Sequence, residues 1–352
     1  MVIVFTGGGT AGHISLNIAL IPHFLKKGYE VHYIGSKNGM EKELISNILD
    51  VTYHSISTGK LRRYFNLNNF IDPFRIIKGI NESKNIMKRI KPDIVFSKGG
   101  FVSFPVVYAA NKLKIKSILH ESDITPGLAN KLSLRYCDQI FTTFDSLKLK
   151  GKERYIGAIV REDIRLGNRN LGLKYSGLLG VKPILLVVGG SSGARSINDA
   201  VRLHLDKILD KFDIIHICGK NNIDNSIKKT GYVQFEYVKD ELKDLFIVSD
   251  IVISRAGANA IFELLSIKKP MLIVPLPASQ SRGDQILNAK YFEEKGYASV
   301  ISDENLNTDE FIEKIISTYD NKSKFYKTML ESKEIGSLEE MVKIVDEEAR
   351  KK

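Results

Sequence analysis

Four glycine-containing turns hold the residues best suited to chemistry in this 352-residue chain: residues 7–12, Gly99 with Gly100, residues 189–193, and Ala256 with Gly257. Each follows a short apolar run and precedes a helical pattern. A glycine lets the backbone approach a phosphate closely, and the helix beyond offers N–H groups and the positive end of its dipole. One such turn is explained by tight strand–helix packing. Four of them, two in each half, point to a groove that handles phosphates.

The first turn, Gly7-Gly8-Gly9-Thr10-Ala11-Gly12, also fits the G-x-G-x-x-G pattern of dinucleotide sites. That fingerprint wants an acid for the ribose about 20 residues on, at the end of the second strand. Here that strand ends Tyr33-Ile34-Gly35-Ser36, with Glu30 at its beginning, so an NAD-dependent oxidoreductase is disfavoured. His13 follows the turn directly. At a helix N-terminus the dipole favours a neutral imidazole, which can take a proton from an attacking hydroxyl. A capping or packing histidine is the alternative. Glu263 lies one to two turns into the helix beyond Gly257. There a carboxylate can accept both hydroxyls of a ribose, or simply face solvent.

Residues 61–78 interleave Arg62, Arg63, Arg75 and Lys78 with Leu61, Tyr64, Phe65, Phe70, Phe74, Ile76 and Ile77. Such mixing suits contact with an anionic membrane surface. RNA contact and plain core packing are the competing readings. The net charge of +11 agrees with an anionic partner or a Lys-rich solvated surface.

The elements that must position these residues alternate. Apolar, β-branched runs at 2–6, 31–35, 51–56, 94–97 and 117–120 are separated by amphipathic stretches such as 17–27 and 74–90. The pattern lapses between 151 and 182. It resumes with strands at 184–188, 214–218, 232–235, 251–254, 271–274 and 298–301, and helices at 194–211, 259–266, 285–295 and 309–319. The last stretch keeps helical spacing through Leu338, Met341, Val342, Val345 and Ala349. The halves echo each other: Asp93-Ile94-Val95-Phe96-Ser97-Lys98-Gly99-Gly100 resembles Asp250-Ile251-Val252-Ile253-Ser254-Arg255-Ala256-Gly257.

This predicts an α/β protein of two doubly wound, Rossmann-like domains with a cleft between them, residues 1–158 and 159–335. The boundary is expected near 157–161, and a C-terminal helix at 336–352 is expected to pack back on the first domain. Cys137 and Cys218 have no metal-like spacing and are expected in the core. No signal peptide pattern is visible, and no apolar stretch approaches the roughly 18 residues of a membrane span.

Taken together, the motifs resemble the MurG family of peripheral glycosyltransferases. The matching pieces are Thr6-Gly7-Gly8-Gly9-Thr10-Ala11-Gly12-His13, Ser97-Lys98-Gly99-Gly100-Phe101-Val102-Ser103, His120-Glu121-Ser122-Asp123, Pro126-Gly127-Leu128-Ala129-Asn130-Lys131, Val188-Gly189-Gly190-Ser191-Ser192-Gly193-Ala194-Arg195, Ser254-Arg255-Ala256-Gly257-Ala258, and Asp284-Gln285 with Asn288-Ala289. They stand in the family's order over most of the chain.

The resemblance implies a GT-B fold and a role in peptidoglycan synthesis, and with it in cell-wall biogenesis, cell shape and cell division. N-acetylglucosamine would pass with inversion from UDP-N-acetylglucosamine to the 4-hydroxyl of undecaprenyl-diphospho-N-acetylmuramyl-pentapeptide, at the cytoplasmic face of the membrane. It implies that Arg161, Gly190, Ser191, Ser192, Gly193, Arg255 and Gly257 meet the uridine diphosphate. Ala258, Asn259 and Ala260 would offer backbone N–H groups. Val238 would frame the uracil, Glu263 the ribose, and Asp284 and Gln285 the sugar. Thr10, Ala11, Gly12, Gly99 and Gly100 would take the acceptor diphosphate. His13 would be the base, with Glu121 and Asp123 as alternatives. No essential metal, cofactor or nucleic acid is expected. A non-hydrolysing UDP-N-acetylglucosamine 2-epimerase shares the fold type and is the enzymatic alternative; a nucleotide-sugar-binding scaffold at the membrane is the non-catalytic one. The chain departs from the family pattern at Leu16, at Asp123 and at the hinge Gly157-Ala158-Ile159-Val160-Arg161, where a proline is usual.

Overall fold

The computed structural model describes residues 1–59, 68–145, 151–190, 193–280 and 283–351. The chain divides into two compact units. The first comprises Met1–Ile159 and Gly336–Lys352, the second Val160–Ile335.

The first unit is built on seven parallel strands: β1 (Val2–Thr6), β2 (Glu30–Ser36), β3 (Val51–Ile56), β4 (Ile94–Ser97), β5 (Lys116–Glu121), β6 (Gln139–Thr142) and β7 (Glu153–Tyr155). Their order is β3-β2-β1-β4-β5-β6-β7. β1 and β4 run at zero exposure from Ile3 to Phe5 and from Ile94 to Phe96, because a parallel sheet is covered by helices on both faces. One face packs on helix Ser15–Lys26 and helix Leu338–Arg350, where Phe5, Phe24, Phe96 and Phe141 meet Met341, Ile344 and Val345. Each of those last three large side chains contributes about 1.5–3 kcal/mol by burial. Lys27 to Asp346 (3.2 Å) and Lys116 to Glu348 (3.2 Å) fasten the rim of that helix.

The second unit repeats the scheme with β8 (Ile184–Val188), β9 (Asp213–Ile217), β10 (Tyr232–Phe235), β11 (Ile251–Ser254), β12 (Met271–Ile273) and β13 (Ser299–Val300), all parallel, in the order β10-β9-β8-β11-β12-β13. The strand order reverses between β1 and β4 in one sheet and between β8 and β11 in the other. All four glycine corners lie at the C-terminal ends of those four strands. Doubly wound sheets bind ligands at that reversal.

The structure differs from the sequence reading in several elements. The single helix expected over 194–211 is two, Arg195–Leu203 and Leu205–Leu209, broken at His204 (φ −101°, ψ 14°). The break lets Leu205 and Ile208 reach the core beside Phe212 while Leu203 points to solvent. The segment read as patternless, 151–182, holds β7 and a short helix, Arg169–Ser176, started by the Asn168 side chain and stopped by left-handed Gly177. The long helix expected from residue 74 starts earlier, at Asn68, with Pro73 inside it.

Candidate functional site

In the first unit the two glycine corners touch. The Gly8 amide donates to the Gly99 carbonyl (3.3 Å), and Gly100 is so close to Gly8 that a Cβ there would lie 2.0 Å from the Gly8 carbonyl oxygen. With φ of +85°, Gly100 admits no other residue without strain. The Gly9 amide faces the buried Glu41 carboxylate at 3.4 Å, which also takes the Ser36 amide (3.1 Å). Gly8 and Gly9 therefore hold the loop together, and the amides that follow, of Thr10, Ala11 and Gly12, lie at the turn into the helices. Nothing in the sequence reading pointed to Glu41, since its sequence neighbours carry no motif.

His13 ends a short 3-10 turn, Ala11–His13, just before helix Ser15–Lys26. It is half-buried, and its Nδ1 lies 3.0 Å from Thr10 Oγ1. Glu121 is 5% exposed. Its carboxylate accepts from the amides of Asp123 (3.0 Å) and Gly127 (3.0 Å) and from Asn130 Nδ2 (2.9 Å). It shapes the 121–127 loop, a role for which a hydrogen-bonded carboxylate is well suited. Asp123 sits half-exposed on that loop.

Behind this corner lies a buried cluster the sequence reading gave no role. Lys98 Nζ stands 2.9 Å from His120 Nδ1, and both residues are 3% exposed. Burial pulls the Lys98 ammonium down to about 8, against the opposing pull of Glu121 and Asp123. Burial and the neighbouring Lys98 keep His120 neutral. The lysine was visible in the Ser97-Lys98-Gly99-Gly100 motif; its depth was not.

In the second unit two corners open outward. Among the described residues, a Cβ at Gly190 or at Gly257 would meet no atom within 4 Å. Helix Ala258–Ser266 begins at Gly257, an N-cap that brings no side chain of its own to the first amides. A helix start of this kind suits an anion. Ala258 is buried, Ala260 half-buried and Asn259 exposed. One turn further, Glu263 Oε1 accepts from Arg161 Nε at 3.2 Å. Desolvation raises the Glu263 carboxyl above its ordinary value, and Arg161 opposes the rise. Gly193, in contrast, is packed: a Cβ would lie 2.2 Å from the Cys218 carbonyl oxygen.

Arg255 does not reach outward. It is 8% exposed, and its two terminal guanidinium nitrogens donate to Asp303 (2.5 Å), Ser196 Oγ (2.7 Å) and the Val274 and Pro275 carbonyls (3.3 and 3.4 Å). It ties the ends of β11 and β12 to the helix that follows residues 189–193. Gln285 lends its carbonyl oxygen to the Leu276 amide (3.1 Å), beside Asp284 at the start of helix Asp284–Glu294. Val238 is buried. Ser191, Ser192 and residues 61–67 lie outside the described residues. Of the basic–apolar segment, Ile71, Phe74 and Ile77 stand 50%, 74% and 58% exposed at helical spacing. Among the described residues no helix is long and apolar enough to cross a membrane, and no group of His, Cys, Asp and Glu could hold a metal ion.

Two successive doubly wound units, each with glycine corners at its strand-order reversal, are the architecture of the GT-B fold. The model of the glycosyltransferase family 28 N-terminal domain matches residues 3–142, and that of its C-terminal domain matches residues 184–347. The chain belongs to glycosyltransferase family 28 and, within it, to the MurG transferases. Its relatives include proteins of Geobacillus thermodenitrificans (49% identical, 99% of both chains covered), Clostridium tetani (51%, 98% of this chain and 97% of the relative) and Oceanobacillus iheyensis (55%, 86% of each). Each is named as a UDP-N-acetylglucosamine–N-acetylmuramyl-(pentapeptide) pyrophosphoryl-undecaprenol N-acetylglucosamine transferase. The fold matches the crystal structure of Acinetobacter baumannii MurG with a TM-score of 0.77 at 21% identity, covering 98% of this chain and 99% of that one. It also matches a UDP-N-acetylglucosamine 2-epimerase of Neisseria meningitidis, with a TM-score of 0.66 at 14% identity over the whole of both chains. At that identity the likeness is one of fold.

Proposed function

We propose that the protein transfers N-acetylglucosamine from UDP-N-acetylglucosamine to the 4-hydroxyl of undecaprenyl-diphospho-N-acetylmuramyl-pentapeptide, with inversion, as a peripheral protein on the cytoplasmic face of the membrane. The observation that carries this reading is the roughly half-identical sequence, over nearly the whole length, of relatives named for that reaction.

The second unit takes the donor. The amides at Gly257, Ala258, Asn259 and Ala260 receive the diphosphate, together with Gly190, Ser191 and Ser192. Glu263 takes the ribose hydroxyls, Val238 frames the base, and Asp284 with Gln285 meets the sugar. Arg255 acts here as a brace for the corners, and Arg161 is the cation on hand for the leaving group. The first unit takes the acceptor diphosphate at Thr10, Ala11, Gly12, Gly99 and Gly100.

Chemistry then follows in one displacement. The acceptor O4 forms a bond to the anomeric carbon, and the bond from that carbon to the β-phosphate oxygen breaks. The hydroxyl proton passes to the His13 imidazole, which Thr10 orients. Negative charge growing on UDP is met by the helix N-terminus and Arg161, an arrangement that acts most strongly in the transition state.

The test is transfer of radiolabelled N-acetylglucosamine from its UDP ester to the lipid-linked acceptor by purified protein. Label in the lipid fraction that depends on the acceptor supports the reading. Conversion of UDP-N-acetylglucosamine to its 2-epimer without acceptor would favour the epimerase, and binding without turnover the scaffold.

A further inference from the structure

A buried chain of four groups leads from the back of β9 to the third glycine corner. His216, on β9, has no exposed surface. Its Nδ1 lies 2.9 Å from the Tyr232 hydroxyl on β10, and its Nε2 lies 3.0 Å from Asn198 Oδ1. Asn198 belongs to helix Arg195–Leu203, the helix that leaves the corner, and its Nδ2 donates to the Cys218 carbonyl at 2.8 Å. That same carbonyl is the surface on which Gly193 rests. Gly193 in turn donates to the Gly190 carbonyl at 3.0 Å.

The proton positions in this chain are fixed by elimination. A backbone carbonyl only accepts, so the Asn198 amide must turn its NH2 toward Cys218. Its oxygen then faces His216, whose Nε2 must carry the proton. Nδ1 is left as the acceptor, and the Tyr232 hydroxyl donates to it. Burial and the nearby Arg202 guanidinium push the imidazole down to about 3, so it stays neutral and keeps this single tautomer. Every polar atom of the imidazole and of the Asn198 amide is paired, and such a network holds one geometry because any other leaves a buried group unsatisfied.

We infer that His216 is a positioning residue for the donor's diphosphate: through Asn198 and the Cys218 carbonyl it fixes Gly193 and the start of helix Arg195–Leu203 beside the third glycine corner. The inference rests on the reading of the second unit as donor-binding. His216 touches no substrate; it holds Gly193 and the helix start in place.

The two nitrogens can be separated by substitution. His216→Gln can keep an N–H near the Nε2 position, facing Asn198. His216→Asn can keep only a polar group near Nδ1, facing Tyr232. UDP binding by calorimetry and steady-state KM for each substrate are measured on the full chain, with thermal midpoints as control. His216→Gln is expected within about threefold of wild type for UDP, and His216→Asn weakened about tenfold, a loss of one buried hydrogen bond. The acceptor KM should stay put in both. Asn198→Asp, which sets a carboxylate against the Cys218 carbonyl, should weaken UDP at least as much. An activity-independent check is the ring 15N shifts of labelled histidine, which should report an Nε2–H tautomer for one residue that does not titrate between pH 5 and 8. Equal UDP affinity in wild type, His216→Asn and Asn198→Asp overturns the inference and leaves the donor reading standing, as does an acceptor KM that rises in step with the donor KM. Failure of the wild-type protein to bind UDP overturns both.

Discussion

Arg161 Nε and Glu263 Oε1 stand 3.2 Å apart, joining the first residues of the second unit to the helix that opens at Gly257. Arg161 is half-exposed and also lies 3.6 Å from Asp163, so its pairing with Glu263 is adjustable. Glu263 is the more buried partner, and desolvation favours its protonated form. In the proposed donor site the ionised carboxylate accepts the ribose hydroxyls. UDP affinity should therefore be full at neutral pH and decline on acidification, beginning above the ordinary glutamate value of 4.5. Arg161→Ala removes the charge that opposes the rise, so the decline should begin at still higher pH. Glu263→Gln should abolish the acid decline and weaken UDP about tenfold at pH 7. Calorimetry across pH 5 to 8 reads both effects. Wild-type affinity in Glu263→Gln would remove the carboxylate from the ribose.

Two lysines, the buried Lys98 behind the first unit's glycine corner and the half-buried Lys269 in the second unit, are each drawn down from 10.5 to about 8, chiefly by desolvation. Below pH 8 each carries its charge in both states, and the fold bears the cost of burying it. Between pH 8 and 10 the folded lysines are deprotonated while the unfolded ones still hold their protons. The unfolded state then binds more protons, so stability rises with pH over that window. Buried Cys137 and Cys218, raised to about 11, pull the other way above about pH 9, so the lysine contribution is read as a difference between wild type and variant. In chemical denaturation Lys98→Met and Lys269→Met should each be more stable than wild type at pH 7.5, and that gain should shrink by pH 9.5. A gain that stays constant from pH 7.5 to 9.5 contradicts the assignment.

Apart from β6 and β7, the strands and the glycine corners were legible in the residues, because β-branched runs that end in glycine have few other uses. The four corner motifs fell at the two strand-order reversals. What the sequence hid was direction. Arg255 sits in a motif that reads as a phosphate ligand, yet its guanidinium turns inward, because Asp303, far along the chain, waits for it there. Glu41 and Lys98 take their positions from the packing of distant strands, which no local spacing encodes. The short elements between 151 and 182 were missed because their apolar residues are few and Leu166, Leu171, Leu179 and Val181 face solvent, which erases the periodicity.

His13 and Glu121 both suit a general base by residue type, and their surroundings separate them. Glu121 already accepts three hydrogen bonds that shape its loop, so protonating it would break the loop it supports. His13 is half-buried with Thr10 on Nδ1. His13→Ala should lower kcat by about 100-fold or more with both KM values changed less than about threefold. Glu121→Gln should instead raise the acceptor KM and lower the thermal midpoint, since one amide oxygen replaces a carboxylate that serves three donors. Unchanged kcat in His13→Ala would pass the role to Asp123, and the Asp123→Asn rate decides that.

Phe74 and Ile77 point into solvent from helix Asn68–Ile90, one turn apart, with Ile71 a turn earlier and Arg75 and Lys78 beside them. Three large apolar side chains so exposed on one helical face are costly in water unless something covers them. Flanking cations are what an anionic lipid surface selects. Arg75 is held 3.2 Å from the buried Asp72 and so contributes less free charge than Lys78. Phe74→Ser with Ile77→Ser should cut sedimentation with phosphatidylglycerol vesicles about tenfold or more, because burying each side chain in the interface contributes about 1.5–3 kcal/mol. Lys78→Glu should weaken binding more at low salt than at high salt, where a Debye length of about 3 Å at 1 M screens the lipid charge. Turnover of a water-soluble acceptor analogue should survive all three changes. Vesicle binding indifferent to both the serine pair and salt would leave this face to some other partner.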